Sequence, residues 1–178
     1  MLPYILTGIA VALVLFIIFV ATRPGDFRVT RTGSIAAVPS VVFGHINDLH
    51  KFQDWSPWAK LDPNAVNTFD GPGAGTGAAF KWSGNRNVGE GIMTITHSRP
   101  PDFVQCRLEF LKPFKCTNTA EFTLKPDGDQ TALTWTTFGK LGFVSKLFMV
   151  FMNCDKMLGG QFEQGFKNLN AVVSGTTA

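Results

Sequence analysis

The pattern of apolar and polar residues divides the chain into three regions. Residues 2–22 are almost all apolar and contain no charged side chain, which predicts a helix able to cross the roughly 30 Å hydrocarbon core of a bilayer. Between residues 27 and 138, apolar and polar residues tend to alternate in short runs, as in strands with one buried face. From Phe143 the apolar residues recur at spacings of three and four, which is typical of an amphipathic helix.

The middle region predicts one strand, two short helices and then six strands. The first strand is expected at 27–35, and the two short helices are expected from Pro39 or Ser40 to about Asp54. Clusters of Gly, Pro, Asn and Asp separate the later strands, which are expected at 66–69, 78–82, 88–97, 103–111, 117–125 and 131–138. Strands joined by short turns form an antiparallel sheet. A helix of about 30 residues from Phe143 would bury its apolar face on that sheet.

The apolar N-terminal segment has two interpretations, an uncleaved membrane anchor and a cleaved signal peptide. A signal peptide has a basic start and an apolar stretch of about 7–15 residues. This segment has no Lys or Arg before the apolar run, its apolar stretch is longer, and residues 19–21 form a poor cleavage site. We therefore expect residues 1–24 to be a transmembrane anchor and linker. Residues 25–178 would form one soluble domain with a single core.

The charges beside the anchor predict its orientation. Arg23, Arg28 and Arg31 follow the helix with only Asp26 to oppose them, and no charged side chain precedes it. Because positive flanks stay on the cytoplasmic side, we expect a single-pass protein of a bacterial inner membrane with a cytoplasmic soluble domain. Three cysteines without CxxC or Cys/His spacing are interpreted as free thiols, which agrees with a reducing compartment.

Composition narrows the chemistry further. The net charge of +3 comes from scattered residues without a Lys/Arg block, so nucleic acid is not an expected partner. No HxxxH, HExxH or Cys/His cluster predicts a metal site, and no cofactor is expected. The glycine-rich segment 71–77 lacks a following Gly-Lys-Ser/Thr, so it is interpreted as a flexible loop rather than a phosphate site. The 17 Phe against 1 Tyr favour an apolar interior, with room for a cavity.

Several stretches carry a family resemblance that extends over residues 27–173. They are 35–43, Asp48 with Trp55 and Trp58, 75–84, 88–95, 131–135 and 160–169. Together they resemble the START-like helix-grip superfamily, also called SRPBCC, and its polyketide cyclase/dehydrase-type branch. The superfamily includes the major birch pollen allergen and lipid-transfer domains. The resemblance implies an α+β fold in which a curved antiparallel sheet of about seven strands wraps around a long C-terminal helix, with a cavity between them.

Strand and helix periodicity then predicts which side chains face that cavity. A largely apolar pocket suits a lipid, isoprenoid or polyketide-like molecule, although the same side chains could instead fill a solid core. Ala120 and Phe162 are turned inward by the same periods. The expected ligand-binding residues are Phe80, Trp82, Met93, Ile95, Leu108, Phe110, Phe122, Leu133, Trp135, Leu147, Phe151, Met152 and Leu158.

Catalytic chemistry has weaker candidates. Asp155, beside Cys154 on the last helix, could serve as a general acid or base or as a polar anchor, and Glu90 is a second candidate. Arg107 and Glu109 share the outward face of a strand and are interpreted as a solvated charge ladder. No His/Arg/Tyr constellation of a cyclase pocket can be mapped onto the chain.

The sequence therefore favours a membrane-tethered module that binds a hydrophobic small molecule. The alternatives are an enzyme of the cyclase/dehydrase type without a metal, and a protein-interaction module like the Hsp90-activator branch of the superfamily. Binders and enzymes share this scaffold, so the site must decide between them.

Overall fold

The computed structural model of the protein describes residues 1–151 and 153–175. Twelve helices and strands follow one another in this part of the chain. In order they are α1 (Leu2–Ala21), β1 (Asp26–Ile35), α2 (Pro39–Asn47), α3 (Leu49–Trp55), β2 (Val66–Asp70), β3 (Ala79–Ser83), β4 (Glu90–Arg99), β5 (Phe103–Lys112), β6 (Cys116–Asp127), β7 (Gln130–Lys140), α4 (Phe143–Phe151) and α5 (Cys154–Val173).

The strands form one curved antiparallel sheet. Its spatial order is β1-β7-β6-β5-β4-β3-β2, so the six consecutive strands make a meander and the first strand pairs with the last. The α5 helix packs on the sheet, with contacts to β1 and to α3. The predicted α+β fold with seven strands and a C-terminal helix is confirmed.

The connection between α2 and α3 is fixed by one carboxylate and one indole. Asp48 accepts hydrogen bonds from the backbone N–H groups of His50 (2.9 Å) and Lys51 (3.4 Å), which caps the start of α3. At the other end of α3, the Trp55 indole N–H donates to the carbonyl oxygen of His45 at 3.0 Å. These bonds hold α3 folded back beside α2.

The C-terminal helical region differs from the prediction in one respect. One helix of about 30 residues was expected from Phe143, but the structure has two helices, and α5 begins after Asn153. The Asn153 side chain accepts a hydrogen bond from the Lys156 N–H at 2.9 Å, as in a helix cap. Because the apolar spacing continues from α4 into α5, periodicity alone does not reveal the break.

The half of the sheet farthest from α1 is covered by buried apolar side chains. The α2 helix packs against β5, β6 and β7 there, and its buried Val42 and Ile46 belong to the same cluster as Ile95 and Cys106. On β1, a Cβ atom at Gly33 would lie 2.6 Å from the Phe166 ring of α5. Strand and helix therefore approach too closely there to leave space.

The α1 helix joins the domain at the opposite end of the sheet. The Leu141 N–H donates to the carbonyl oxygen of Gly25 at 2.7 Å, and the Lys146 ammonium donates to that of Ala21 at 3.3 Å. Asp26 opens β1 opposite Lys140, the last residue of β7. Strand register brings the Glu90–Lys112 and Val66–Ser83 pairs to the same end, which we call the α1-proximal end.

The α1 helix itself is long and apolar enough to cross a bilayer. Most of its described side chains are exposed, with Val20 buried. The division of the chain at residue 24 stays a prediction.

Candidate ligand cavity

A cavity of about 220 Å³ lies between the sheet and the helices in the α1-proximal half of the domain. For scale, an apolar cavity of about 150 Å³ can hold benzene. Most of the lining is apolar or aromatic. The lining residues are Phe52, Gln53, Ser56, Trp58, Ala59, Asp62, Ala65, Asn67, Phe80, Trp82, Val88, Met93, Leu108, Phe110, Asn118, Ala120, Phe122, Trp135, Thr137, Leu158 and Phe162.

Eight of the thirteen residues expected to bind ligand are brought together around this cavity. They come from five neighbouring strands and from α5, because alternate residues on each strand face the helix layer. The eight are Phe80, Trp82, Met93, Leu108, Phe110, Phe122, Trp135 and Leu158. Their contact with a ligand stays a prediction.

Three of the expected residues are not part of the lining. Ile95 and Leu133 are fully buried in the hydrophobic core, towards the distal ends of their strands. Leu147 is half-buried on α4. The Phe151 side chain and Met152 lie outside what the structure describes. Alternation selects the correct face for Ile95 and Leu133, but it does not tell how far along a strand the space extends.

The sequence interpretation missed one whole wall of the cavity. That wall comes from α3, the segment after it and the start of β2. It includes Phe52, Gln53, Ser56, Trp58, Ala59, Asp62, Ala65 and Asn67. Val88, Asn118 and Thr137 were also missed. Asn118 and Thr137 could have been found by extending the inward alternation of Ala120 and Trp135 by two residues. The α3 wall left no such signal, because only the folded chain brings it opposite the sheet.

Stacked and edge-on aromatic rings make the deepest wall rigid. The Trp135 indole stacks on Phe162, with ring centroids 4.3 Å apart and planes at 9°. Phe122 lies 4.9 Å from the same indole, and Trp55 and Trp58 meet it edge-on at 5.6 and 5.7 Å. Such packing holds each ring in one orientation.

Among the residues that the structure describes, the lining contains one carboxylate, and it is already bonded. Asp62 is 9% exposed and accepts hydrogen bonds from the backbone N–H groups of Asn64 (3.1 Å) and Asn85 (2.6 Å). The bond from Asn64 closes a local turn, and the bond from Asn85 ties the segment after α3 to the β3–β4 hairpin. The geometry gives Asp62 a structural role in shaping the cavity wall.

Among the described residues, three that line the cavity carry a buried side-chain polar atom without a hydrogen-bond partner. These atoms are the side-chain nitrogen of Gln53 (Nε2), the side-chain oxygen of Asn118 (Oδ1) and the indole nitrogen of Trp135 (Nε1). Buried polar atoms in native proteins are nearly always bonded. The lining is mostly apolar with a small number of polar side chains, as is usual for sites of small molecules.

The two catalytic candidates lie outside the described lining. Asp155 is exposed in the first turn of α5, and Arg31 donates to both of its carboxylate oxygens at 3.0 and 2.8 Å. Glu90 accepts from the Lys112 ammonium at 2.7 Å and from the Ser83 hydroxyl at 3.2 Å. These cationic neighbours lower the pKa of both carboxyl groups. Their arrangement is that of surface ion pairs, and the catalytic roles stay predictions.

The other reactive side chains lie apart from the cavity lining. Cys106 is fully buried, and desolvation raises the pKa of its thiol. Cys116 and Cys154 are half-buried free thiols with raised pKa values, again because of burial. Within the described ranges, no three His, Cys, Asp or Glu side chains come together as a metal site. The predicted surface pair is present, with Arg107 Nε 3.1 Å from Glu109 Oε2.

Comparisons with known proteins agree with this architecture. A family model described as polyketide cyclase/dehydrase and lipid transport matches residues 26–174. No curated protein sequence matches the chain. Solved structures with the same fold include protein CV1439 from Chromobacterium violaceum, which is 15% identical with a TM-score of 0.58 over 85% of this chain and 98% of that one.

Two further structures show how widely the fold is shared. Ara h 8.0201 is 11% identical with a TM-score of 0.59, over 85% of this chain and 100% of its own. The Aha1 protein from Colwellia psychrerythraea, solved as a dimer, is 16% identical with a TM-score of 0.55, over 81% and 96%. At these identities the likeness concerns the fold alone. The family match covers nearly the whole region after α1, and the chain belongs to the polyketide cyclase/dehydrase and lipid transport family.

Proposed function

We propose that this protein is a membrane-tethered binding module for a hydrophobic small molecule, such as a lipid, an isoprenoid or a polyketide-like compound. Residues 2–22 would hold it in a bacterial inner membrane, with the domain of residues 25–178 on the cytoplasmic side. The observation that carries the proposal is the position of the cavity, in the half of the sheet nearest to α1.

Strand register supports this position. Asn118 pairs with Gly139 and Phe110 pairs with Gly91, close to the strand ends where α1 joins the domain. Several lining residues on this side, including Leu108 and Leu158, are only half-buried. The cavity does not extend to the distal strand ends, where Ile95 and Leu133 are fully buried. A molecule dissolved in the bilayer would therefore meet the end of the domain that contains the space.

The surface at the α1-proximal end is suited to a membrane interface. Leu111 and Phe114 beside the β5–β6 turn are 44% and 47% exposed, and Phe143 and Val144 at the start of α4 are 48% and 46% exposed. Exposed lysines accompany them at positions 112, 115 and 140. Apolar side chains that enter the interface, together with cations near anionic headgroups, favour membrane contact. The α4 helix also contacts α1 directly.

The chemistry of the lining favours binding over catalysis. Its one carboxylate, on Asp62, is bonded to two backbone N–H groups. Among the described residues, no His, Cys, Lys or Arg side chain lines the cavity. Acid–base catalysis needs a titratable group within reach of the substrate. We therefore rank binding above the cyclase/dehydrase alternative, and the presence of an apolar cavity ranks it above the Hsp90-activator-like one.

Naphthalene titrated calorimetrically into the full chain in lipid nanodiscs tests the cavity. Ala120→Leu fills part of the space, while Ala132→Leu makes the same change on the outer face of β7 and serves as the matched control. Losing burial of one or two CH₂ groups costs about 1–2 kcal/mol, or about tenfold in affinity. We expect that loss for Ala120→Leu alone. No binding by the unmodified protein, or equal binding by both variants, would overturn the proposal.

A separate experiment tests the orientation. In a bacterial host, an added protease should digest the soluble domain in inverted inner-membrane vesicles and leave it intact in spheroplasts. Digestion in spheroplasts would reject the cytoplasmic assignment, and release of the domain from washed membranes would reject the anchor.

A further inference from the structure

The α1-proximal end of the domain carries apolar and basic side chains together, close to the end of α1. We infer that this end, with the first turn of α4, is a binding surface for anionic phospholipids, which holds the domain in the headgroup region of the bilayer. This inference rests on the membrane anchor proposed above. It adds a lipid partner that is separate from any ligand of the cavity.

The connection between α1 and the domain sets the depth of this surface. Ala21 ends α1 and Asp26 already begins β1, so the linker is short. It is also held in place, because the Leu141 N–H donates to the carbonyl oxygen of Gly25 and the Lys146 ammonium donates to that of Ala21. The α1 helix has 20 residues, about the length that crosses the hydrocarbon core. When α1 spans the bilayer, its last turn and Lys146 therefore lie at the level of the headgroups.

The first turn of α4 places apolar side chains at the same level. Lys146 belongs to this helix, and α4 contacts α1. Phe143 and Val144 at its start are 48% and 46% exposed, although burial of such side chains is favourable. An apolar helix face that lies in the membrane plane is buried at the boundary between headgroups and acyl chains. That boundary supplies the cover that the domain leaves incomplete over these two side chains.

The charged side chains at the two ends of the sheet have opposite signs. The turns and strand ends at the α1-proximal end carry Arg86, Lys112, Lys115 and Lys140, against Asp26 and Glu90. The corresponding positions at the distal end carry Asp70, Asp102, Asp127 and Asp129, against Arg99 and Lys125. An anionic membrane attracts basic side chains that lie within about a Debye length of its surface. It therefore favours contact through the α1-proximal end and disfavours contact through the distal one.

Lys115 and Lys140 are the cations best placed to meet headgroups. Both side chains are exposed, and neither forms an ion pair with a described residue. Lys112, by contrast, is already paired with a glutamate at 2.7 Å. Lys115 lies in the β5–β6 turn, and strand register places that turn next to Lys140 at the end of β7. The two ammonium groups thus accompany the exposed apolar side chains that precede and follow them.

Vesicles of phosphatidylcholine and phosphatidylglycerol that contain the full chain test this surface. Phe143→Trp adds a fluorescent reporter to α4, and Phe69→Trp adds a matched one towards the distal end, where Phe69 is 39% exposed. Bromine atoms on the acyl chains near the headgroup quench tryptophan that they contact, in either lipid. We expect them to quench the added emission of Phe143→Trp but not that of Phe69→Trp. Brominated phosphatidylglycerol should quench more strongly than brominated phosphatidylcholine.

Charge variants that also carry Phe143→Trp identify the headgroup contacts. Lys115→Gln and Lys140→Gln should each lower the preference for phosphatidylglycerol over phosphatidylcholine about two- to fivefold at low ionic strength, because each lysine near an anionic surface favours it by about that factor. Lys125→Gln removes the same charge from the distal end and should leave the preference unchanged. Added salt should weaken the preference of the unmodified surface by screening.

The outcomes separate this inference from the function beneath it. If the protein stays in washed vesicles but Phe143→Trp is quenched no more than Phe69→Trp, the binding surface is refuted and the anchor stands. If both brominated lipids quench equally, or if Lys125→Gln acts like Lys115→Gln, the selection of anionic lipid is refuted. If washing removes the protein from the vesicles, the anchor fails and this inference fails with it.

Discussion

Ala120 and Cys106 are directly paired neighbours on β6 and β5, yet only Ala120 lines the cavity. Both side chains face the helices and are buried, at 2% and 0% exposure. Both belong to the hydrophobic core and lie on strands that α2 contacts, so what distinguishes them is the cavity, which Cys106 does not line. We predict that Ala120→Leu preserves or raises the free energy of unfolding, whereas Cys106→Leu lowers it.

The magnitudes follow from the space available at each position. Ala120→Leu adds three carbon atoms, whose burial is worth about 0.8 kcal/mol each, or about 2.4 kcal/mol together. Fixing the leucine side chain costs about 0.5–1 kcal/mol, so the net gain is about 1–2 kcal/mol if the atoms enter the cavity. Cys106→Leu has no such space, and overpacking costs about 1–3 kcal/mol. For a chain of this size that loss lowers the melting temperature by about 2–12 °C.

Urea unfolding of the full chain in a mild detergent, followed by tryptophan fluorescence, measures both variants. The dependence on urea should keep the same slope, so that a shifted midpoint reports stability alone. Equal destabilisation by the two variants would refute the reasoning, because it would mean that Ala120 also borders a filled core. A stable Ala120→Leu variant that binds naphthalene as tightly as the unmodified protein would refute it too.

Two further predictions concern Asp155 and Gly91. Arg31 holds the pKa of Asp155 below its ordinary value of 3.8, so the ion pair stabilises fully above that pH and is lost as the pH falls through the lowered pKa. Asp155→Asn should therefore unfold at less urea than the unmodified protein at pH 7, by a difference that shrinks as the pH falls below 3.8, with naphthalene binding unchanged. A difference that stays constant as the pH falls would contradict this. Gly91→Ala puts a Cβ atom against the Trp82 ring and 2.7 Å from the Glu109 carbonyl oxygen. We therefore expect thermal melts to show about 1–3 kcal/mol of destabilisation, and naphthalene to bind more weakly. An unchanged melting temperature would contradict this and would show that the Trp82 ring moves aside freely.

The order of elements and the inward face of each strand could be predicted from the sequence, because both depend on local periods. Alternation turned Phe80, Met93 and Phe122 towards the helices, and the spacing after Phe143 indicated helix. The uncharged run of α1 is likewise a local property. The capping role of Asn153 is also local, but the continuous apolar spacing across it concealed the break.

The position of the cavity was decided by tertiary packing. Ile95 and Met93 lie two residues apart on one face of β4, yet only Met93 borders the space, while Ile95 is fully buried in the core. The α3 wall lies opposite the sheet only after the chain folds back at Asp48. Arg31 and Asp155, 124 positions apart, form an ion pair because α5 packs on β1. Periodicity determined which face of each element is apolar, whereas the fit of distant helices on the sheet determined where that face is left uncovered.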